Sequence, residues 1–116
     1  YSWEATIDSN YLLKMVKDSA NGPDSFSVAA VLVFINNKYP EIKLDMVRQS
    51  NDTLFVKSDD ASYLTQRMGS TGPTLYFGDV VFNLTEIPGI RYVDFDIEEG
   101  DHAGPGTYTR ESFNNE

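Results

Sequence analysis

The amino-acid sequence contains no cysteine and a single histidine, His102. The absence of cysteine excludes disulfide bonds, thiolate metal ligands and a cysteine nucleophile, but it does not fix the compartment, because cysteine-free chains occur inside and outside the cytosol. Basic residues are also few, since nine lysines and arginines stand against 18 acidic residues and give a formal net charge of −9. Nucleic acids and anionic membranes are bound through clustered cationic side chains, so neither is an expected partner.

Long hydrophobic segments are absent as well. The longest apolar block runs from Val28 to Ile35, and it is much shorter than the ~18 residues that would suggest a membrane-spanning helix. No signal peptide is recognisable, but the chain begins at Tyr1 without a methionine. We therefore expect a processed chain from which a targeting segment has been removed.

The 116 residues, 41% of them apolar and 13% aromatic, are typical of one globular domain. A chain of this length buries roughly 65% of the surface that its unfolded form exposes, which suffices for a core without metals or disulfides. We predict a single α/β (α+β) domain over residues 1–100, best supported over residues 24–100. Residues 101–116 then form a polar, glycine-rich C-terminal tail, unless Tyr108 and Phe113 dock on the domain.

Helical spacing of apolar residues at i, i+3, i+4 and i+7 appears in two segments. The first predicts a helix over residues 25–38, capped by Asp24 or Ser25 and ended by Pro40. A shorter helix is predicted over residues 59–69. The apolar positions of the first helix are Val28, Val31, Leu32 and Ile35, and those of the shorter one are Leu64 and Met68.

The second segment predicts a longer helix that begins at Thr71 or Gly72, tolerates Pro73 in its first turn and ends at Pro88-Gly89. Gly78 inside this helix costs about 1 kcal/mol relative to alanine. Close packing against the sheet would explain its presence. The apolar positions are Phe77, Val80, Val81 and Leu84.

Alternation with a period of two residues predicts strands in two places. Residues 42–47 and 53–58 form a hairpin, in which Asn51-Asp52 makes the turn because both residues tolerate positive φ. Residues 91–98 form a strand with one buried face and one wet face. The inward positions are Val93, Phe95 and Ile97, and the outward positions are Tyr92, Asp94, Asp96 and Glu98.

Residues 3–18 stay ambiguous, because a strand and a capped helix fit the local pattern equally well. The helix would bury Leu12, Leu13 and Val16. Taken together, the segments predict a small two-layer sandwich, with about three helices packed on one face of a three-stranded mixed sheet.

The most conspicuous candidate site is an acidic cluster that ends in the only histidine: Asp94, Asp96, Glu98, Glu99, Asp101 and His102. Several carboxylates in a loop could bind Ca²⁺, but the spacing does not match a calcium-binding EF-hand loop. Carboxylates two residues apart on a strand lie roughly 6–7 Å from each other, which would also suit an acid/base pair of the glycosidase type. The alternation instead favours a solvated strand face, followed by an exit loop with a polar histidine.

Two weaker motifs occur elsewhere. Residues 69–74 precede a helix, where backbone N–H groups could hold an anion, but the lysine of the phosphate-binding loop pattern is absent. Two Asn-x-Thr tripeptides match the motif for N-glycosylation. The one at Asn51 lies in a predicted turn and could accept a glycan, whereas the one at Asn83 lies within a predicted helix and is interpreted as a chance match. We expect no catalytic, metal-binding or cofactor-binding residues, and no cofactor.

The stretch "TLYFGDVVFNLTEIPGIRYVDFDIEEG" resembles the end of the GerMN domain, a module of bacterial sporulation and germination proteins and of exported lipoproteins. In that family a helix ends in a Thr-Leu-Thr-Glu-x-Pro-Gly-hydrophobic signature that leads into a strand with alternating aliphatic residues and a closing glycine. Residues 83–90 carry the signature here, and Val93, Phe95, Ile97 and Gly100 follow it. The similarity spans residues 11–100 and is sharp over residues 80–100.

The resemblance implies a small α/β sandwich that makes protein–protein contacts outside the cytoplasm, in the periplasm or as a lipoprotein on the envelope. The expected function is therefore a non-enzymatic binding or assembly module of the bacterial cell envelope with a protein partner, and the sequence leaves its oligomeric state open. The alternatives are a cell-wall glycan hydrolase that uses two of Asp94, Asp96, Glu98 and Asp101, and a cation- or glycan-binding domain that combines these acids with Tyr92 and Tyr108.

Overall fold

The fold is seen in a computed structural model that describes residues 1–60, 62–63, 71–98 and 105–113. The described elements, in chain order, are β1 (Ser2–Ile7), β2 (Leu13–Asp18), α1 (Val28–Lys38), β3 (Asp45–Ser50), β4 (Thr53–Lys57), α2 (Gly72–Leu84), β5 (Tyr92–Asp96), β6 (Gly106–Tyr108) and a 3₁₀ turn (Arg110–Phe113). The class is α+β, as predicted. The short helix expected over residues 59–69 lies mostly outside the described residues.

The described residues form two sheets, whereas the prediction was one sheet of three strands. One sheet has four strands in the order β3-β4-β5-β6, with β4 and β5 parallel and the two outer pairs antiparallel. The strands β1 and β2 form a separate antiparallel pair, the N-terminal hairpin. The prediction missed one strand of the larger sheet because β6 has only three residues, and it missed the hairpin because its pattern was ambiguous.

Helix α2 lies between these two sheets and is buried on both sides. Its predicted apolar face, Phe77, Val80, Val81 and Leu84, is buried in the core together with Leu54, Val56, Val93 and Phe95 of the four-stranded sheet. Its other side contacts the N-terminal hairpin. A Cβ atom added at Gly78 would lie 3.2 Å from Met15 Sδ and 3.3 Å from Ala5 Cβ, so the close packing that explains this glycine is against the hairpin. The hairpin thus adds a third layer to the predicted two.

Helix α1 packs beside α2 and buries Val31, Leu32 and Ile35, as the helical spacing predicts. Its N-cap is Ser27, whose Oγ accepts a hydrogen bond from Ala30 N at 3.2 Å. The predicted caps, Asp24 and Ser25, therefore lie outside the helix. Polar residues that can cap recur at positions 24, 25 and 27, so the sequence alone does not separate them.

The turn at Asn51-Asp52 is confirmed, because Ser50 pairs with Thr53 and Asn51 has a φ of 55°. The strand before the turn is shifted relative to the prediction. Ile42 and Leu44 are buried but precede β3, which begins at Asp45 and contains a bulge between Met46 and Arg48. The extra residue of the bulge disturbs the period-two pattern that the prediction followed.

Residues 2–18 are two strands, and the helical alternative is wrong. Leu13 and Met15 turn toward α2, whereas Leu12 and Val16, which the helix would have buried, are 47% and 42% exposed. The connecting turn is built by Asp8, whose carboxylate accepts hydrogen bonds from the N–H groups of Asn10 and Leu12. Tyr11 adopts a left-handed conformation with a φ of 63°.

The described part of the C-terminal segment packs on the domain. Tyr108 stacks on Phe77 with ring centroids 5.0 Å apart, and Phe113 lies edge-on to Phe82 at 6.3 Å. Of the two alternatives for this segment, docking by its aromatic residues is the one observed.

Candidate binding surface

The predicted acidic residues lie on the outer face of the four-stranded sheet, away from α2. Val93, Phe95 and Ile97 are buried, as the alternation predicts, which turns Asp94 and Asp96 outward. The Thr107 hydroxyl donates a hydrogen bond to Asp94 Oδ2 at 2.5 Å. Asp94 therefore already has a partner on the neighbouring strand.

Basic side chains alternate with the acids on this face. In one row of directly opposite residues, Lys57 of β4 lies between Asp45 of β3 and Asp96 of β5. In another row, Phe55 of β4 lies between Arg48 of β3 and Asp94 of β5. The Arg48 guanidinium lies 4.0 Å from the centroid of the Phe55 ring. Opposite charges on neighbouring strands stabilise a sheet face modestly. The arrangement is that of a solvated sheet surface.

The other members of the acidic cluster do not join this face as a site. Glu98 is exposed just after β5, and Glu99, Asp101 and His102 lie outside the described residues. Within the described ranges, no three histidine, cysteine, aspartate and glutamate side chains are grouped so that they could hold a metal ion. Tyr108, which one alternative combines with the acids, pairs with Val93 and faces the core.

A polar contact that the sequence analysis did not identify joins α2 to β1. Asn83 Oδ1 accepts a hydrogen bond from Trp3 N at 2.8 Å, and Asn83 Nδ2 donates to Trp3 O at 2.9 Å. One turn earlier, Asp79 Oδ1 accepts from Ala5 N at 2.5 Å. Two buried side chains of a helix thus take the place of a neighbouring strand along the edge of β1.

The second oxygen of Asp79 holds the end of α1. Asp79 Oδ2 accepts a hydrogen bond from the Tyr39 hydroxyl and lies 2.9 Å from Lys38 Nζ. Burial, and then the neighbouring Asp79 carboxylate, raise the pKa of the Tyr39 hydroxyl, which therefore stays protonated and donates. Glu4 of β1 lies 3.8 Å from the same Lys38 Nζ but is half exposed. The buried Asp79 carboxylate thus contacts three donors, from Ala5, Tyr39 and Lys38, and joins β1 and the end of α1 to α2.

A further cluster fastens the hairpin to the end of α2 and to the 3₁₀ turn. Glu86 accepts hydrogen bonds from the Tyr1 hydroxyl, from Trp3 Nε1 at 3.0 Å and from Arg110 at 2.8 Å. Burial alone would raise the pKa of Glu86, but the hydrogen bonds from these three donors outweigh it and lower the pKa to about 2. Arg110 also donates to Thr85 Oγ1 at 2.8 Å and to Phe82 O at 2.9 Å.

The strand edges of the described part differ in how well they are protected from pairing with another chain. The edge of β1 is closed by Asp79 and Asn83, β6 has three residues, and β3 carries a bulge. Strand β2 is different, because it has six residues, a regular register and one strand neighbour. Short strands and bulges protect sheet edges from pairing with other chains. In the described part, β2 is the long, regular edge, and its two lysines, Lys14 and Lys17, also discourage pairing with other chains.

Exposed apolar side chains accompany the β2 edge. Tyr11, Leu12 and Val16 are 87%, 47% and 42% exposed. Next to them, a groove of about 450 Å³ separates β2 from the C-terminal turn. The groove is lined by Leu13, Lys14, Met15, Phe82, Arg110, Glu111 and Phe113. We refer to the edge of β2, these three exposed side chains and the groove together as the β2 surface.

Neither Asp79 nor Asn83 was identified as important from the sequence, although a signal is present. Two polar residues separated by four positions lie on one side of a helix that is otherwise apolar. Such a pair suggests that this side of the helix faces polar backbone. The sequence analysis placed Asn83 in an Asn-x-Thr tripeptide and in the helix-end signature of residues 83–90, and neither interpretation involves its contact with β1. Its side chain is 1% exposed and fully hydrogen-bonded, so it cannot accept a glycan in the folded chain.

No family model matches the chain, and no curated protein or solved structure matches it at a significant level. The resemblance to the GerMN domain therefore stays a prediction. Neither helix in the described part of the chain has the length and hydrophobicity needed to cross a membrane.

Proposed function

We propose that this chain is a non-enzymatic binding or assembly module of the bacterial cell envelope, which contacts a protein partner through the β2 surface. The observation that carries the proposal is the group of exposed apolar side chains on the β2 surface, Tyr11, Leu12 and Val16, beside the groove. Exposed apolar side chains that are grouped together and rimmed by polar residues mark sites of protein–protein contact.

The way the hairpin is held supports this function. A two-stranded hairpin by itself is marginally stable in water. Here β1 is fixed to α2 by Asn83 and Asp79, and Glu86 fixes Tyr1 and Trp3. The outer strand β2 is therefore presented in one conformation before a partner arrives, which reduces the entropy lost on binding.

The envelope location rests on the resemblance of residues 80–100 to the GerMN domain. Helix α2, the Pro88-Gly89 turn and β5 carry the corresponding residues, and Gly89 adopts a φ of 88° that favours glycine at this turn. The family suggests two locations. One is the periplasm, and the other is the outer side of the envelope, where the protein would be attached to lipid upstream of Tyr1.

Site-specific crosslinking tests the proposed contact. A photoreactive amino acid replaces Val16 on the β2 surface, and a matched variant carries it in place of Val33, which is 60% exposed on α1. After irradiation with the envelope fraction of the native cells, we expect one defined protein to be crosslinked at position 16 and not at position 33. Equal crosslinking at both positions, or none at position 16, would contradict the proposal.

The alternative of a glycan hydrolase or a glycan- or cation-binding domain relies on Asp94, Asp96 and Glu98. A depression of about 480 Å³ does lie over Phe55, Asp94 and Asp96 on the outer face. However, Arg48 covers the Phe55 ring, which is the aromatic surface that a sugar would need for stacking. The double substitution Asp94→Asn with Asp96→Asn tests this alternative. If it abolishes cell-wall glycan hydrolysis or binding while the melting temperature is unchanged, the alternative is correct.

A further inference from the structure

We propose that Asn21 is a site of spontaneous deamidation, at which the side-chain amide is converted to a carboxylic acid through a cyclic imide formed with Gly22. This inference concerns a covalent modification of the chain and does not depend on the proposed function. Three observations lead to it: the residue that follows Asn21, the hydrogen bonding around the two residues, and the contact of Gly22 with Tyr1.

Asn21 is the only asparagine in the chain that is followed by glycine. Deamidation requires the backbone nitrogen of the next residue to attack the side-chain carbonyl carbon of the asparagine. A side chain on that next residue obstructs the approach, whereas Gly22 has no Cβ atom to do so. Because the two reacting groups belong to adjacent residues, ring closure is intramolecular and is favoured over direct attack by water.

The surroundings of Asn21 leave the attacking nitrogen available. Asn21 is exposed in the connection between β2, which ends at Asp18, and α1, which begins at Val28. The N–H group of Gly22 donates no hydrogen bond to a described residue, so none has to be broken when this nitrogen becomes the nucleophile. Asn83, by contrast, lies within α2, and its carboxamide is held by three hydrogen bonds.

The reaction has two steps and consumes only water. In the first step, Gly22 N forms a bond to Asn21 Cγ, its proton passes through solvent to Asn21 Nδ2, and the bond between Cγ and Nδ2 breaks to release ammonia. In the second step, water opens the cyclic imide. Attack of water at Cγ gives aspartate, and attack at the backbone carbonyl carbon gives isoaspartate, in which the main chain continues through the former side chain.

Asp18 is a positioning residue that restrains this reaction. Asp18 Oδ2 accepts a hydrogen bond from Asn21 Nδ2 at 3.1 Å, and Asp18 Oδ1 accepts from Ala20 N at 2.9 Å and from Asn21 N at 3.3 Å. The bond from the Asn21 side chain, and then that from Ala20 N, lower the pKa of Asp18, so its carboxylate is charged at neutral pH. The bond to Nδ2 holds the carboxamide in one rotamer and must break before ammonia leaves, so it slows ring closure.

The isoaspartate product would disturb the contact between Gly22 and Tyr1. A Cβ atom added at Gly22 would overlap Tyr1 O, so the two backbone segments are packed directly against each other. Isoaspartate adds a methylene group to the main chain immediately before Gly22. The Tyr1 hydroxyl donates to Glu86, and the Tyr1 ring packs on Phe26 with ring centroids 4.8 Å apart. The modification therefore loosens the attachment of the N-terminal hairpin at Tyr1.

Incubation of the purified chain in mildly alkaline buffer tests the inference. Peptide mapping by mass spectrometry measures conversion at each asparagine, and labelling by an isoaspartate-specific methyltransferase distinguishes isoaspartate from aspartate. We expect Asn21 to be converted several-fold faster than Asn51, which is exposed but followed by Asp52, and to give both acids. Conversion no faster than at Asn51, or aspartate without isoaspartate, would overturn the inference.

Three variants test the role of Asp18 and the effect on the hairpin. Asp18→Ala should speed conversion at Asn21 several-fold and leave Asn51 unchanged, whereas Asp18→Asn, whose amide oxygen can still accept the bond, should restore most of the restraint. An unchanged or slower rate in Asp18→Ala would overturn the role of Asp18. After incubation, hydrogen exchange at the Trp3 amide should be faster in the parent than in Asn21→Gln, whose longer side chain closes its ring far more slowly. Equal exchange would overturn the effect on the hairpin, and melting temperatures before incubation confirm that the variants fold.

Discussion

The carboxamide of Asn83 pairs with the backbone of Trp3 as a neighbouring strand would, since it accepts from Trp3 N at 2.8 Å and donates to Trp3 O at 2.9 Å. A third bond from Asn83 Nδ2 to Asp79 O at 2.7 Å keeps the carboxamide oriented within α2. One buried side chain thus joins the N-terminal hairpin to the central helix.

Replacement of Asn83 by alanine should destabilise the protein. Buried N–H and C=O groups left without a partner cost about 1–3 kcal/mol each, and Asn83→Ala leaves both groups of Trp3 unpaired. Urea unfolding should show the loss, and hydrogen exchange at the Trp3 amide should become faster than in the parent chain. Asn37→Ala, at an exposed position of α1, is the control and should change stability little. An unchanged exchange rate at Trp3 would show that Asn83 does not hold the strand.

Lys38 allows a direct comparison of a buried and an exposed ion pair. Its ammonium lies 2.9 Å from buried Asp79 and 3.8 Å from half-exposed Glu4. Asp79→Asn should lower the free energy of unfolding by about 1–3 kcal/mol, because the buried acceptor of Lys38 and of the Tyr39 hydroxyl loses its charge. Glu4→Gln should cost about 0.5 kcal/mol or less, as exposed ion pairs do. Denaturant unfolding of the two variants measures both values, and similar losses would contradict the assignment of Asp79 as the anchor.

Glu86 should make stability depend on acid pH. Its pKa is lowered from 4.5 to about 2 in the folded chain, so the folded state favours the charged carboxylate. The resulting stabilisation is fully present above pH 4.5 and is lost as the pH falls toward 2. The melting temperature of the parent chain should therefore decrease over this range.

The variant Glu86→Gln isolates this contribution. It should melt at a lower temperature than the parent at pH 6, and the difference should shrink as the pH falls, because the glutamine does not titrate. Glu111→Gln changes an exposed acid of the neighbouring turn and serves as the control. If the two variants show the same pH profile, the low pKa of Glu86 does not contribute to stability.

Replacement of Gly78 by alanine should disturb the packing of the N-terminal hairpin unless a facing residue of the hairpin is made smaller. Alanine is favoured in a helix by about 1 kcal/mol, but its Cβ would lie 3.2 Å from Met15 Sδ and 3.3 Å from Ala5 Cβ. Met15 is flexible, whereas Ala5 is held by its bond to Asp79. Gly78→Ala should therefore speed hydrogen exchange in β1, as measured by NMR.

Adding Ala5→Gly to Gly78→Ala should partly restore this protection, because it removes the methyl group that the new Cβ approaches. The double variant also keeps the total number of side-chain carbons unchanged. If Ala5→Gly fails to compensate, the glycine is required for a reason other than contact with β1.

The buried faces of three elements with a clear period were predicted correctly from the sequence, whereas the period over residues 42–47 placed β3 too early. The buried faces of α1, α2 and β5 follow directly from spacings of 3.6 and two residues, and the Asn51-Asp52 turn follows from residues that tolerate positive φ. These features depend on local patterns. The wet face that carries Asp94 and Asp96 was predicted for the same reason.

The contacts that define the candidate surface could not be predicted in this way. The hairpin is ambiguous in the sequence because Leu12, Leu13 and Val16 fit a helix as well as a strand, and contact with α2 selects the strand. The roles of Asp79 and Asn83 depend on β1, which lies more than seventy residues away, at separations of 74 and 80. No local pattern specifies such contacts.

These separations also bear on the order of folding. The residues of β1 leave the ribosome before α2, and the helix residues that close their backbone edge are synthesised 74–80 residues later. Contacts this distant in sequence form only after a large loop has closed, and closing the loop has an entropic cost that slows their formation. We therefore expect β1 to be among the last of the described strands to dock, with its backbone edge accessible to other chains until α2 is in place.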